Sequence, residues 1–374
     1  MAFKFNFTSD DLDLEEIDQS NELNSTLNDL SLDEQQAVDK TPCYEYDITT
    51  CTLPSAVQAD ILHIPNVNQP LYKRALGDVK YQMAMQDTLG NEEAEEKKVV
   101  NMLDLNSNSD LVRGVYEGGF KTWECSLDLT EYLAKLPKEQ ISNKRVLELG
   151  CGSALPSLFL LQHDSSNHVD VLDYNEQVIQ YITLPNILLN TVLQVHASTD
   201  EQPEDEEAST EKEKAPEKEK ENEDEDEEND EDDEKDGIIG ENVTCDAEAE
   251  LPTEHVPDML QRISQRTRAF VGDWSGLPAI ANCKYDMIVT SETIYSQDAL
   301  LSLVQTIQKT LKKPDGVCYV AAKTVYFGVG GGVLPFCNLL QETKDEDGDK
   351  LVAERVFESD STVKREVLKV IWLQ

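Results

Sequence analysis

A tight glycine turn directly after an apolar segment is the clearest place for chemistry in this sequence. In LELGCGSALPSL, Gly150 and Gly152 follow the apolar run KRVLELG (144–150) and precede a second apolar run that begins at Leu155. A strand, a glycine turn and a helix in this order bring backbone amides close to a bound nucleotide or nucleoside. The turn is compatible with two ligands, a dinucleotide and S-adenosylmethionine.

The residues within the turn favour the second ligand. The dinucleotide fingerprint G-x-G-x-x-G needs a third small residue, so that helix and strand pack closely around the pyrophosphate. Here that position is Leu155. A sulfonium cofactor carries no phosphate, so two glycines that let the backbone approach are sufficient. The carboxylate of Glu148, just before the turn, suits the ammonium and sulfonium charges of such a cofactor.

Acidic and aromatic residues at the ends of the next predicted strands support this interpretation. Asp173 ends the second strand, where it can accept bonds from ribose hydroxyls. Asp273 and Trp274 end the third, where they can meet an exocyclic amine and the face of adenine. The fourth ends in Ser291 and Glu292. The alternatives are that Asp173 only caps a helix and that Trp274 only fills the core, but four such strand ends in sequence favour S-adenosylmethionine.

The spacing of apolar runs predicts an α/β fold. Strand candidates alternate with helix candidates from about residue 110, which is typical of a mostly parallel, Rossmann-like sheet with helices on both faces. Two final strand candidates, KLVAERVFES and REVLKVIWLQ, have no helix between them and predict a hairpin that adds one antiparallel strand. Pro185 is expected to break the helical stretch 176–194.

Charge divides the 374-residue chain, whose formal net charge is −43. Residues 1–75 are acidic and are expected to be largely disordered, with a globular domain over 76–374. An insert at about 198–250 interrupts that domain. Its segment 200–236 holds 23 carboxylates and 5 lysines, a net charge of −18. Such a segment cannot bury enough apolar surface to offset the entropy of ordering it, so we expect disorder. It could be a simple tether or could attract a very basic protein.

Several classes of function are disfavoured. The acidic balance argues against direct nucleic-acid binding, which needs Lys and Arg opposite phosphates. The eight cysteines form no C-x-x-C pair and indicate reduced thiols, hence a cytoplasmic location with the nucleus as the alternative. The start MAFKFNFTSDDLDLEE lacks the apolar core of a signal peptide, and no run has the ~18 apolar residues of a membrane span. The five histidines have no metal-ligand spacing, so no metal is expected. We also expect a monomer.

Six motifs together resemble the eukaryotic protein-histidine methyltransferases: EGGFKTWECSLDL, VLELGCG, DYN, GDW, TSETIY and AAKTVYFGVGGGV. These are seven-strand class I enzymes related to small protein-lysine methyltransferases. The resemblance covers about residues 110–374 without the acidic insert. It implies S-adenosyl-L-methionine as cofactor and a histidine of a large-subunit ribosomal protein as substrate. It also implies these cofactor contacts: Thr122, Trp123, Glu124, Cys125, Ser126, Gly150, Asp173, Tyr174, Asn175, Gly272, Asp273, Trp274 and Ser291, to which the turn itself adds Glu148 and Gly152.

The same resemblance places Glu292 and Tyr295 at the substrate. A neutral histidine, with a pKa of about 6.5, is already a competent nucleophile at pH 7. It therefore needs no strong base, only a carboxylate that accepts its other ring N–H. Glu292 is the candidate for that carboxylate and Tyr295 for a positioning hydroxyl, with Lys323 and Tyr326 expected on the opposite, substrate-binding wall. Two alternatives stay open: a lysine methyltransferase of the same fold, and a non-catalytic acidic chaperone for basic ribosomal proteins.

Overall fold

The computed structural model describes residues 41–88, 118–197, 238–239 and 246–373. Its strands are β1 (Tyr44–Tyr46), β2 (Ala56–Leu62), β3 (Leu71–Arg74), β4 (Thr122–Trp123), β5 (Arg145–Leu149), β6 (His168–Asp173), β7 (His196–Ala197), β8 (Ile238–Ile239), β9 (Ala247–Glu250), β10 (Thr267–Val271), β11 (Met287–Ser291), β12 (Val317–Lys323), β13 (Leu351–Glu358) and β14 (Arg365–Trp372). Its helices are α1 (Leu76–Thr88), α2 (Glu124–Ala134), α3 (Lys138–Ile141), α4 (Leu155–His163), α5 (Glu176–Val178), α6 (Leu184–Thr191), α7 (Val256–Ser264), α8 (Leu277–Ala281), α9 (Gln297–Thr310) and α10 (Val333–Glu342).

The central sheet has eight strands in the order β1-β10-β6-β5-β11-β12-β14-β13. The pairs from β10 through β12 are parallel, and β14 is antiparallel to both of its neighbours. The predicted α/β class, mostly parallel sheet and antiparallel closing hairpin are therefore confirmed. Strand β1 adds a second antiparallel strand at the β10 edge, which the apolar pattern did not predict. A four-stranded sheet β3-β2-β9-β7 and the pair β4-β8 complete the strands.

Two hydrophobic cores cover the two faces of the central sheet. Val146 of β5 packs in one core, and Leu147 and Leu149 in the other. Strand β11 alternates in the same way, with Val289 in the first core and Ile288 in the second. Helices α2, α4, α6 and α7 bury their apolar sides in the first core, and α8, α9 and α10 in the second. The near-continuous apolar strands are thus explained by burial on both sides.

Two of the predicted boundaries are wrong. Residues 41–75 carry β1, β2 and β3 and belong to the same compact unit as the rest of the domain, so disorder does not extend to residue 75. β1 and β3 are only three and four residues long, too short to give a clear periodic signal. Similarly, β8 and β9 fall inside the expected insert of 198–250. Residues 1–40, 198–237 and 240–245 lie outside the described residues.

The helical stretch 176–194 is divided into two α-helices, α5 and α6, and Pro185 stands in the first turn of α6, as predicted. A π-helical turn over Ile179–Thr183 joins the two pieces. A proline is tolerated in a first turn because its missing N–H has no partner there. Among the described residues, no helix has the length and apolar character needed to cross a membrane.

The parallel strands place four loops at one edge. Strands β5, β6, β10 and β11 run in the same direction and end next to Gly150, Asp173, Gly272 and Ser291. In sheets of this kind the carboxyl ends of the strands form the ligand crevice.

Candidate active site

One cavity lies at this edge, and it contains most of the predicted site residues. It encloses about 920 Å³ of space not filled by atoms, including the part open to solvent. Eleven predicted residues line it: Trp123, Ser126, Gly150, Gly152, Asp173, Tyr174, Asp273, Trp274, Ser291, Glu292 and Tyr295. Seven residues that the sequence reasoning missed line it as well: Gly118, Gly119, Lys121, Cys151, Ser153, Thr293 and Ala299.

The turn after β5 brings bare backbone to the cavity. Gly150 and Gly152 both have left-handed backbone angles, with φ of 63° and 49°. A Cβ on Gly150 would lie 2.7 Å from Thr293 Cγ2, so a side chain there would collide with the wall of the cavity. Glycine adopts such angles without steric cost.

The Asp173 carboxylate holds this turn from the neighbouring strand. Its Oδ2 accepts a hydrogen bond from Gly152 N at 2.9 Å, and Oδ1 accepts one from Asn175 N at 3.2 Å. A second glycine turn packs over it, since a Cβ on Gly119 would lie 2.7 Å from Val178 Cγ2 and 3.3 Å from Asp173 Oδ1. The EGG of residues 117–119 thus carried a signal for the site, namely two adjacent glycines shortly before the Trp-Glu pair.

Asp273 and Trp274, just after β10, both stabilise the local fold and line the cavity. Asp273 Oδ1 accepts a hydrogen bond from Ser275 N at 2.9 Å and caps the short turn Trp274–Gly276. Trp274 Nε1 donates to Ser302 Oγ at 3.1 Å, which fixes the indole at the wall of the cavity. Capping and cavity lining are therefore combined in the same two residues.

The segment just before β1 closes this end, and the sequence reasoning missed it. Asp273 N donates to Thr41 O at 2.9 Å, and the Thr41 hydroxyl donates to the Tyr174 hydroxyl at 3.2 Å. A Cβ on Gly272 would lie 2.5 Å from Pro42 O, so only glycine allows this approach. Nothing in the polar segment TPC indicates such a contact, because it depends on the pairing of β1 with β10.

Glu292, just after β11, is half-buried and has a strained backbone. Its φ is 58°, in the left-handed region that non-glycine residues seldom occupy. Oε2 accepts a hydrogen bond from the Tyr326 hydroxyl, while Oε1 is buried and accepts no hydrogen bond from an N–H or O–H group of the described residues; the Cys125 thiol lies beside this carboxyl group. Burial raises the pKa of Glu292, and Cys125 and Tyr326 beside the carboxylate partly oppose that rise.

Tyr326 is oriented by two contacts. Its hydroxyl accepts a hydrogen bond from Lys323 N at 3.2 Å and donates to Glu292. Burial and then the neighbouring Glu292 raise the pKa of Tyr326 well above its usual value, so it remains a proton donor. Its ring meets that of Tyr295 edge to face, with 6.4 Å between the ring centroids. Tyr326 was expected on the wall opposite Glu292 but instead holds that carboxylate.

Eight predicted site residues do not line the cavity: Thr122, Glu124, Cys125, Glu148, Asn175, Gly272, Lys323 and Tyr326. Glu124 Oε2 accepts a hydrogen bond from Arg365 Nη1 at 2.5 Å, in a cluster with Asp128 that ties α2 to β14. Cys125 is fully buried behind Glu292.

Glu148 lies beneath the glycine turn and faces helix α4. It shares the face of β5 that carries Val146, and its Oε2 accepts hydrogen bonds from the Ser157 amide (3.1 Å) and hydroxyl. Burial raises its pKa from 4.5 to about 8. The side chain therefore supports the first turn of α4 and does not reach the cofactor space.

The charges in the cavity discriminate between the two candidate ligands. Asp173, Asp273 and Glu292 line it, and among the described residues Lys121 is the one cationic side chain beside them. A cavity with three carboxyl groups disfavours a pyrophosphate and suits a ligand with ammonium and sulfonium charges. The absence of a third glycine after Gly152 points the same way.

Fold and site together define a class I methyltransferase. Residues 124–335 match the family model described as "Methyltransferase domain". The chain is 32% identical over 319 residues to "Histidine protein methyltransferase 1" of Schizosaccharomyces pombe, a match that covers 80% of this chain and 82% of the relative. "Histidine protein methyltransferase 1" of Saccharomyces cerevisiae is 29% identical over 404 residues, with 98% of each chain covered. The bovine "Histidine protein methyltransferase 1 homolog" is 33% identical over 64% of this chain and 52% of its own length.

The chain belongs to the histidine protein methyltransferase 1 family. It is a protein-histidine N-methyltransferase that uses S-adenosyl-L-methionine. The backbone of the β5 turn, Asp173 and the Asp273–Trp274 pair line the cavity at the carboxyl ends of the strands, the edge where sheets of this kind bind their ligands.

Proposed function

We propose that Glu292 presents the target histidine for methylation through its Oε1 atom. The observation that carries this proposal is a buried acceptor without a partner among the described residues, in the wall of the cofactor cavity. An unpaired buried acceptor is costly and is expected to be satisfied in the working complex. An imidazole N–H is a donor of suitable size and charge for it.

The chemistry requires alignment more than activation. S-adenosyl-L-methionine supplies a methyl group bonded to a positively charged sulfur. The lone pair of one imidazole nitrogen forms the new N–C bond as the C–S bond breaks. The other ring nitrogen keeps its N–H against Glu292 Oε1, which fixes the tautomer and stabilises the imidazolium that forms. That imidazolium then loses its N–H proton to the carboxylate and from there to water, which leaves neutral methylhistidine.

The Tyr326 hydroxyl keeps Glu292 in the required state. Because it donates to Oε2, it favours the ionised carboxylate and leaves Oε1 as the acceptor for the substrate. The left-handed backbone at Glu292 is consistent with strain retained for this orientation.

The substrate proposed for this enzyme is a strongly basic protein, namely a large-subunit ribosomal protein. The net charge of −43, of which −18 falls in residues 200–236, supports a basic partner. Opposite charges of this size raise the rate of encounter most at low ionic strength.

Labelled cofactor tests the acceptor and its source together. Purified enzyme is incubated with proteins extracted from large ribosomal subunits that lack the modification, and the labelled residue is mapped by mass spectrometry. Methylhistidine in one basic protein is the expected result. Label on lysine would contradict the proposed role of Glu292, and label confined to proteins outside the ribosome would contradict the proposed substrate.

A deletion tests the acidic segment separately. Removal of residues 200–236 should lower kcat/KM about tenfold at low salt and much less at high salt, without changing cofactor affinity. A matched control replaces the segment by an uncharged Gly/Ser linker of the same length. Equal rates for all three proteins at every ionic strength would reduce the segment to a tether.

A further inference from the structure

The segment 325–334, which contacts the cavity-lining Tyr295, exposes three large apolar side chains. Phe327 is 92% exposed, Leu334 is 69% exposed and Val325 is 51% exposed. The described parts of the chain expose eight large apolar residues, and three of these eight lie within the ten positions of this segment. An aromatic ring left almost wholly in water contributes nothing to the core, and such patches mark interaction sites.

Backbone contacts hold this segment in place. Val325 and Gly332 form an antiparallel bridge, as do Ser296 and Gly330. Gly331 N donates to Tyr295 O at 3.1 Å. The two strands of the loop are therefore bonded to each other and to the residues that follow Glu292.

The glycines of the loop make this approach possible. A Cβ on Gly331 would lie 2.2 Å from the carbonyl oxygens of Ile294 and Tyr295, closer than any side chain allows. Gly328 and Gly330 have positive φ of 79° and 76°. The loop is thus packed against the cavity wall at Tyr295, and the exposed ring of Phe327 is carried on it.

Neighbouring residues of the loop face opposite ways. Tyr326 turns inward to Glu292, whereas Phe327, the next residue, turns out to solvent. An imidazole that meets Glu292 is joined to its own backbone by a single methylene. A substrate chain that brings a histidine to Glu292 therefore passes close to Tyr295 and Tyr326, and Phe327 is the exposed neighbour of Tyr326 along the chain.

We propose that Phe327 binds an apolar side chain of the substrate polypeptide within about two residues of the target histidine. This inference rests on the proposed role of Glu292, because that role fixes where the substrate backbone passes. Consecutive residues of an extended chain lie about 3.5 Å apart, so a near neighbour of the histidine can reach this exposed ring. The carboxyl groups of the cavity and the apolar loop would then recognise different parts of one segment: the histidine and its apolar neighbour.

Phe327→Ala tests the contact with the protein substrate identified by labelling. We expect KM for that substrate to rise about 10- to 30-fold, as for an aromatic anchor in an interface. The kcat value and the affinity for S-adenosylhomocysteine should stay within twofold. Phe327→Trp should retain most of the affinity, since it keeps a large apolar ring.

Leu373→Ala is the matched control. Leu373 is 57% exposed, but β14 runs antiparallel to β12, with Ile371 opposite Val317, so Leu373 lies at the edge of the sheet opposite to the cavity. Its substitution should leave KM unchanged. A KM for Phe327→Ala equal to that of wild type would overturn the proposal, as would a parallel loss of cofactor binding, which would indicate a collapsed loop.

A double-mutant cycle separates this inference from the proposed function. The apolar residues within two positions of the mapped histidine are replaced by Ser in the substrate and tested against wild type and Phe327→Ala. Non-additive losses are expected for one of these positions. Additive losses at all of these positions would contradict binding of the substrate by Phe327 but would not contradict histidine methylation. Failure of wild type to label any histidine would instead refute the proposed function.

Discussion

Asp173 ends β6 and Glu292 directly follows β11, the two strands on either side of β5. Their carboxyl groups are held differently. Both oxygens of Asp173 accept hydrogen bonds from backbone amides. Glu292 has a left-handed backbone, and one of its oxygens lacks a partner among the described residues. The carboxylate on the cofactor side of the cavity thus already has its hydrogen-bond partners, whereas the one on the proposed substrate side has an oxygen that can still accept a hydrogen bond.

This difference separates binding from turnover. A satisfied carboxylate such as Asp173 can hold a turn in shape before and after the reaction. In the proposed role, Glu292 gains its full set of hydrogen bonds only with substrate present, so it favours the charged state reached during transfer. Substitutions in the two halves should therefore change different kinetic constants.

The largest effect is expected for Glu292→Gln. Gln can hold the ring through its carbonyl oxygen but cannot stabilise the imidazolium, so kcat should fall about 100- to 1,000-fold. Affinity for S-adenosylhomocysteine, measured by calorimetry, should stay within twofold. Turnover near the wild-type value would remove Glu292 from the reaction.

The matching change in the cofactor half is Asp173→Asn. An amide cannot accept from both Gly152 N and Asn175 N with its two polar atoms, and it lacks the negative charge. The Kd for S-adenosylmethionine should rise about 10- to 100-fold, with kcat at saturating cofactor within a few-fold of wild type. A loss confined to kcat would contradict the division between the two halves.

Tyr326→Phe should move the pH profile of turnover. Burial already raises the pKa of Glu292, and the Tyr326 hydroxyl opposes that rise. Because the ionised carboxylate is the active form, activity is lost as the pH falls through this pKa. Removing the hydroxyl should shift the acid limb of kcat upward by about one pH unit, the equivalent of one hydrogen bond to a charged group. The control is Tyr295→Phe, which should leave the limb in place.

The smallest effect concerns stability and the carboxyl group beneath the cofactor turn. The folded-state pKa of Glu148 is raised from 4.5 to about 8. Its stabilising contribution is therefore complete below about pH 4.5 and is lost as the pH rises towards 8. Gln cannot ionise, so Glu148→Gln should not lose this stability. The free energy of unfolding of the variant minus that of wild type should therefore rise by about 1–2 kcal/mol between pH 6 and pH 8. Urea titrations at the two pH values measure this, and parallel values would contradict it.

Much of the cofactor half could be predicted from the sequence. Gly150, Gly152, Asp173 and Asp273 each follow a recognisable apolar strand, and parallel strands bring the residues at their carboxyl ends together. Glu148 was assigned to the cofactor because it precedes the turn. Its direction is set by the alternation of β5, which points it under α4.

The contacts made by distant segments could not be predicted. Thr41 and Pro42 reach the cavity only because β1 pairs with β10. Tyr326 was expected across the cavity from Glu292, and its bond to that carboxylate depends on how the glycine loop folds back onto the residues after β11.

The sequence by itself determined the α/β class, the glycine turn and the set of acidic strand ends, because strand periodicity and turn residues act over a few positions along the chain. Only the tertiary structure decided which carboxyl oxygens are satisfied, which segment packs against Gly272 and Asp273, and which aromatic ring stays exposed next to Tyr326. Those outcomes depend on packing between segments far apart in sequence, and hydrogen-bond satisfaction and burial are properties of the assembled fold.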